Sequence, residues 1–156
     1  MAALVAQLAK AVIFRGLIPS QLELVVGISA LQDFPRGSVI FTEGEPGEEL
    51  YLIVKGKVQI AREWPMGGQE TLAELGPGDA FGEMAILDEG LRRSATARAG
   101  EDCTLLVLKR KSFQDLLRQN HALSDAVLWN VIRQFSGRLR ATNDKVMMFL
   151  SSSGLY

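Results

Sequence analysis

Eleven of the chain's fifteen glycines fall between Gly37 and Gly100, and this punctuation limits what the middle of the chain can build. Between the glycines lie short runs in which apolar and polar residues alternate: Ser38 to Thr42, Glu49 to Val54, Lys57 to Ala61, Glu70 to Leu75, Ser94 to Ala99 and Cys103 to Leu108. Alternation with period two is the mark of a strand with one face buried. The stretch from Leu50 to Ile60 reads as two strands about a tight turn. Gly44-Glu45-Pro46-Gly47 and Gly76-Pro77-Gly78-Asp79 are turn clusters. Short strands at this spacing predict an antiparallel sandwich or barrel. Each of these glycines is read as serving turn geometry, with Gly82 the exception.

Helical patterns flank this region. Met1 to Ile13 reads as an amphipathic helix with Leu4, Leu8, Ala11 and Val12 on one face. It is too short and too weakly flanked to span a bilayer, and packing on the domain is favoured over a membrane-surface role. Phe14-Arg15-Gly16-Leu17 is a break. Pro19 suits the first turn of a second helix running to about Leu31, with Leu22, Val25, Val26 and Ser29 inward. Ser112-Phe113-Gln114-Asp115 resembles a capping box opening a helix to about Gln119, and Asn120 is placed as the cap of the next helix. A long helix follows from about Ala122 to Leu150. It carries Leu128, Ile132, Phe135, Leu139, Thr142, Val146 and Phe149, a heptad seam over three cycles. Such a seam favours a homodimer, the alternative being a helix packed on its own barrel. Gly137 costs about 1 kcal/mol relative to Ala in a helix, or serves close helix approach.

At 156 residues the chain is read as a single domain: helices over 1–33, a β-roll over 34–110 and C-terminal helices over 112–150. The fold class is mainly β with flanking helices. The net charge of −1 supplies no global basic field for nucleic acid. Cys103 is the sole cysteine, so no internal disulfide forms and a reducing, cytoplasmic setting fits; its apolar surroundings predict a buried, inert thiol. His121 is the sole histidine and cannot build a histidine-rich metal site. This argues against a metal-dependent cupin enzyme of similar architecture. No Ser/His/Asp or Cys/His constellation is evident, so no catalytic residue, metal ligand or cofactor is assigned and the chain is read as a non-enzyme.

The stretch from Phe81 to Ala97 carries the chemistry: Phe-Gly-Glu-Met-Ala-Ile-Leu-Asp-Glu-Gly-Leu-Arg-Arg-Ser-Ala-Thr-Ala. Gly82 allows backbone to approach a ligand. Glu83 to Leu87 is a short helical run whose free N–H groups attract negative charge. Gly90 can end that run in a left-handed conformation. Arg92 and Arg93 bring cations, Ser94 a hydroxyl, and Ala95-Thr96-Ala97 re-enters a strand. Glu83 beside an anion site fits an acceptor for a sugar hydroxyl. The bland alternative is a glycine-punctuated turn with a solvated arginine pair.

The pattern F-G-E-x-A-x-L followed by R-S-A-T resembles the phosphate-binding cassette of cyclic-nucleotide-binding domains, in the spacing of bacterial catabolite-activator-like proteins. The pattern G-E-x-x-x-x-x-Y-x-I-x-x-G-x-V from Gly44 to Val58 is similar to the same family, so the resemblance covers most of the chain. It implies an eight-stranded jelly-roll barrel with helices at its ends. It also implies that Glu83 binds the ribose 2′-hydroxyl and Arg93 the cyclic phosphate. Gly82, Met84, Ala85, Ser94 and Ala95 complete the cassette's ligand-binding set; Arg92, where the family varies, has no ligand role.

On the long helix, Thr142 and Asn143 match a Thr-Ser pair that in such dimers reads the base, one from its own subunit and one from across the dimer. Asn in place of Ser keeps a donor and an acceptor. The resemblance implies a receptor for cAMP, with cGMP as the second choice, in which ligand binding shifts the barrel against the dimer helix. The alternative is an interaction module of the same fold that no longer binds nucleotide. The six residues after Leu150 cannot form the family's helix-turn-helix domain. Direct DNA binding is therefore not expected of this chain, which would act through a protein effector or through its dimer surface. The initial Met favours a complete chain over one cut at the hinge.

Overall fold

The computed structural model describes residues 1–64, 66–84 and 90–152. The N-terminal segment holds α1 (Ala2–Leu8), a 3₁₀ turn (Val12–Phe14) and α2 (Pro19–Gly27). The single helix expected over Met1 to Ile13 is thus two pieces, with Leu8 and Ala11 buried and Val12 exposed. Pro19 occupies the first turn of α2 as expected. That helix stops at Gly27, because the chain enters a strand at Ser29; Leu31 is a strand residue. The N-terminal helices therefore do not fill 1–33.

Eight strands follow: β1 (Ser29–Phe34), β2 (Val39–Phe41), β3 (Glu49–Lys55), β4 (Val58–Glu63), β5 (Gln69–Leu75), β6 (Ala80–Phe81), β7 (Thr96–Ala99) and β8 (Cys103–Lys109). They form two four-stranded sheets, ordered β1-β8-β3-β6 and β2-β7-β4-β5. All pairings are antiparallel. The sheets make a roll without closing into a barrel. The two strands on either side of Gly56 exist as read, but they do not pair. β3 lies between β8 and β6, β4 between β7 and β5, and the turn carries the chain from one sheet to the other.

β3 and β8 are buried on both faces, so they read as continuous apolar runs. Leu50, Leu52, Leu106 and Leu108 face the helices and pack with Leu8, Phe14, Val25 and Phe113. Tyr51, Ile53, Leu105 and Val107 face the other sheet and pack with Val58, Phe81, Ala97 and Ala99. The chain closes with α3 (Arg110–Gln119) and α4 (His121–Ser152). The capping box is not used: α3 begins two residues before Ser112, and no side chain caps it. Asn120 lies between the helices, and its amide donates back to the Leu116 carbonyl (3.0 Å) instead of capping α4.

The 32 residues of α4 divide into two stretches. Leu123, Val127, Asn130 and Val131 are buried, and Phe135 packs partly against the same core. Asn130 donates to the carbonyls of Ile13 (3.3 Å) and Arg15 (2.7 Å), which fastens the helix to the 3₁₀ turn. The near part of α4 therefore packs on its own roll. The seam residues Leu128, Ile132, Leu139, Val146 and Phe149 are exposed. A Cβ at Gly137 would meet nothing within 4 Å, so no close approach within the protomer requires that glycine.

Candidate functional site

The cassette is held at both borders by backbone. β6 pairs Phe81 with Tyr51, which delivers Gly82 to the edge of the inter-sheet core. On the return, Arg93 N–H donates to the Glu45 carbonyl and Gly44 N–H to the Arg93 carbonyl, each at 2.8 Å. Thr96 then enters β7, as expected.

Gly82 has φ of +76°. A Cβ there would come within 2.7 Å of Arg93 Nη1 and 3.0 Å of the Glu49 carbonyl. Both the backbone conformation and the space call for glycine. The room so kept is filled by the Arg93 guanidinium, which is buried at 7% exposure. Its Nη2 donates to the Glu49 carbonyl (3.0 Å) and its Nη1 to the Gly82 carbonyl (3.5 Å). Its Cζ lies over the Phe41 ring, 4.0 Å from the centroid. Arg93 Nε is buried with no hydrogen-bond partner among the described residues. Burial pulls the guanidinium below its usual value, and nearby Tyr51 and Glu49 oppose that shift. Arginine stays charged regardless. A buried cation held by carbonyls, with one donor unmet, suits an incoming anion.

Glu83 is likewise buried, at 6% exposure. One of its oxygens accepts from Arg138 Nη1 of α4, so the predicted sugar acceptor is already engaged by the long helix. Behind them, Tyr51 donates to Glu49 Oε2 (2.6 Å) and stacks on Phe81 with ring centres 5.1 Å apart. Burial, then that carboxylate, push the Tyr51 phenol up.

These groups border a cavity of ≈ 520 Å³ between the second sheet, the cassette and α4. Of the predicted site residues, Gly82, Glu83, Met84, Arg93, Ser94, Ala95 and Thr142 line it. Ala85 lies outside the described residues, as do Ile86, Leu87, Asp88 and Glu89. Asn143 is exposed and does not line this cavity. Gly90 has φ of +104°, the left-handed conformation expected of it. Arg92 also borders the cavity, but its Nη1 donates to the Gly44 carbonyl (2.7 Å).

Sequence reading missed Phe41, Ile60, Leu72, Leu75, Arg138 and Lys145. The two cations were within reach of it: Arg138, Thr142 and Lys145 stand at i, i+4 and i+7, hence on one face of a helix. The apolar wall comes from β2, β4 and β5, whose facing across the cavity depends on sheet order. Among the described residues, the lining sets Arg92, Arg93, Arg138 and Lys145 against one carboxylate, Glu83.

Fold and site together define a ligand-binding roll roofed by a helix. The chain belongs to the cyclic nucleotide-binding domain family, whose model matches residues 31–120. It is 46% identical over 108 residues to the cyclic AMP receptor protein of Thermus thermophilus, covering 69% of this chain and 49% of that protein. It is 37% identical over 139 residues to a CRP-like cAMP-activated global transcriptional regulator of Mycobacterium tuberculosis, covering 89% of this chain and 60% of that protein. The crystal structure of the Thermus thermophilus catabolite activator protein superposes with a TM-score of 0.80 at 37% identity, covering 89% of this chain and 63% of that one. The chain thus spans about half to three fifths of the length of these curated relatives. Among the described residues no helix is long and apolar enough to cross a membrane, and no group of three or more His, Cys, Asp and Glu could hold a metal ion.

Proposed function

We propose that this chain is a cytoplasmic, non-enzymatic regulatory receptor for cAMP, with cGMP as the second choice, acting as one domain. The observation that carries this is Arg93: a buried, charged guanidinium, its Nε without a partner among the described residues, at a cavity rich in cations. In this reading the cyclic phosphate takes Arg93 and Ser94, with Gly82, Met84 and Ala85 supplying backbone donors. The ribose hydroxyl bonds to Glu83 and so meets Arg138, which already holds that carboxylate. Thr142, four residues along the same helix face, reads the base, and Asn143, exposed in this protomer, reads it from the partner of a homodimer. A ligand seated there connects cassette and long helix, and it shifts their arrangement to the extent that it binds one arrangement better than the other. A protein effector receives that shift.

Charge-assisted hydrogen bonds contribute about 1.5–3 kcal/mol each. Arg93→Ala is therefore expected to weaken cAMP binding at least about tenfold in titration calorimetry. Saturable binding by the wild-type chain, lost in that variant, supports the receptor; equal affinity in both would remove Arg93 as the anchor. Parallel titration with cGMP sets the preference between the two nucleotides.

A further inference from the structure

We infer that Phe41 is a positioning residue for Arg93: its ring holds the guanidinium against β2 without taking up any of its N–H groups. This rests on the reading of Arg93 as the phosphate anchor. The two carbonyls that Arg93 contacts accept from its Nη1 and Nη2. No carboxylate among the described residues forms an ion pair with it. Its Cζ lies instead over the Phe41 ring, 4.0 Å from the centroid, with the Tyr51 ring farther off at 5.7 Å. Phe41 is fixed in turn by Tyr51 and Phe81, with ring centres 5.8 Å and 5.9 Å away. The shelf is thus a packed cluster, not a lone side chain.

The choice of an aromatic face matters chemically. A carboxylate would hold the arginine more strongly, but it would cancel the charge and use the donors that an anion needs. The negative face of a ring attracts a cation without accepting any of its N–H bonds, and the attraction grows when water is excluded, as it is around Arg93. Phe41 also borders the cavity, so its ring sits where it can act on Arg93 at the ligand's side.

The test grades the electrostatics of the ring at constant shape. Phe41 is replaced by phenylalanines carrying one, two and three fluorines, which drain negative charge from the ring face, and cAMP affinity is measured by calorimetry. Affinity is expected to fall stepwise, by about 2- to 30-fold across the full loss of the interaction. Phe41→Tyr, which keeps the ring, should stay near wild type, and Phe41→Leu should fall with the most fluorinated form. Flat affinity across the fluorinated series would overturn the inference, whatever Phe41→Leu does to folding. Wild-type protein that binds neither cAMP nor cGMP would overturn the receptor reading itself, and this inference with it.

Discussion

Cys103 lies on the inner face of β8, where its Sγ donates to the carbonyls of Lys57 (3.1 Å) and Glu101 (3.2 Å). Burial pushes the thiol above its ordinary value of 9.0. The unfolded chain then releases this proton first, so the stability it contributes is complete below that ordinary value and is lost as pH rises through the folded one. The urea midpoint of the wild-type protein is expected to fall as pH climbs past 9.0, and Cys103→Ala should flatten the decline; equal slopes would show that the thiol plays no part. The buried, inert cysteine was legible in the sequence, since it stands in an apolar run. Its partner glycine was not. Gly56 was read as turn geometry alone, and its φ of +86° agrees. Yet a Cβ there would also come within 2.7 Å of Cys103 Sγ and 2.6 Å of the Asp102 carbonyl. Turn chemistry is local and can be read from neighbours; the space around a turn is set by a residue nearly fifty positions away. Gly82 reads from the sequence as a place where backbone approaches a ligand; what a Cβ there would meet is the side chain of Arg93, eleven positions on in the same stretch.

At the scale of elements, the strands with a readable apolar–polar alternation were legible, and β1 and β6 were not. β1 reads as the tail of α2 because Ser29 continues the helical spacing of Leu22, Val25 and Val26 past Gly27, and only pairing of Ser29–Phe34 with β8 makes it a strand. β6 is two residues long and offers no period to read. Capping was misplaced at Ser112 for a related reason. α3 starts where β8 ends, at Lys109, so the sheet fixes its first residue. In α4 the heptad seam drew attention to the exposed face, whereas the residue that anchors the helix is polar. Asn130 is buried and donates to two carbonyls of the N-terminal segment. Losing it leaves those carbonyls unmet, at a cost of about 1–3 kcal/mol. Asn130→Ala is expected to lower the melting temperature, and amide exchange should quicken in residues 12–17 more than in β3 or β8. Uniform protection across the three would show that the clamp is not local.

For the molecule as a whole, the exposed seam is the open question that the proposed homodimer answers. Leu139, Val146 and Phe149 are each at least half exposed, more apolar surface than one helix commonly leaves to water. Leu139→Glu with Val146→Glu is expected to convert a dimer to a folded monomer in sedimentation velocity, with the helical circular dichroism largely kept. A wild-type protein that sediments as a monomer at the same concentrations would exclude the seam as a dimer surface. The attachment of α4 has a mechanical side. The helix is pinned from Leu123 to Val131, and every residue from Ser136 to Phe149 is exposed. Those fourteen residues run about 21 Å at 1.5 Å per residue, with a glycine, Gly137, close to where packing on the apolar core ends. A rotation there of about 10° carries the far residues roughly 4 Å while Arg138, one position from the pivot, moves by a few tenths of an ångström. The chain thus has unequal arms: the side chain that grips Glu83 sits on the short one, and whatever touches residues 146–149 feels the long one.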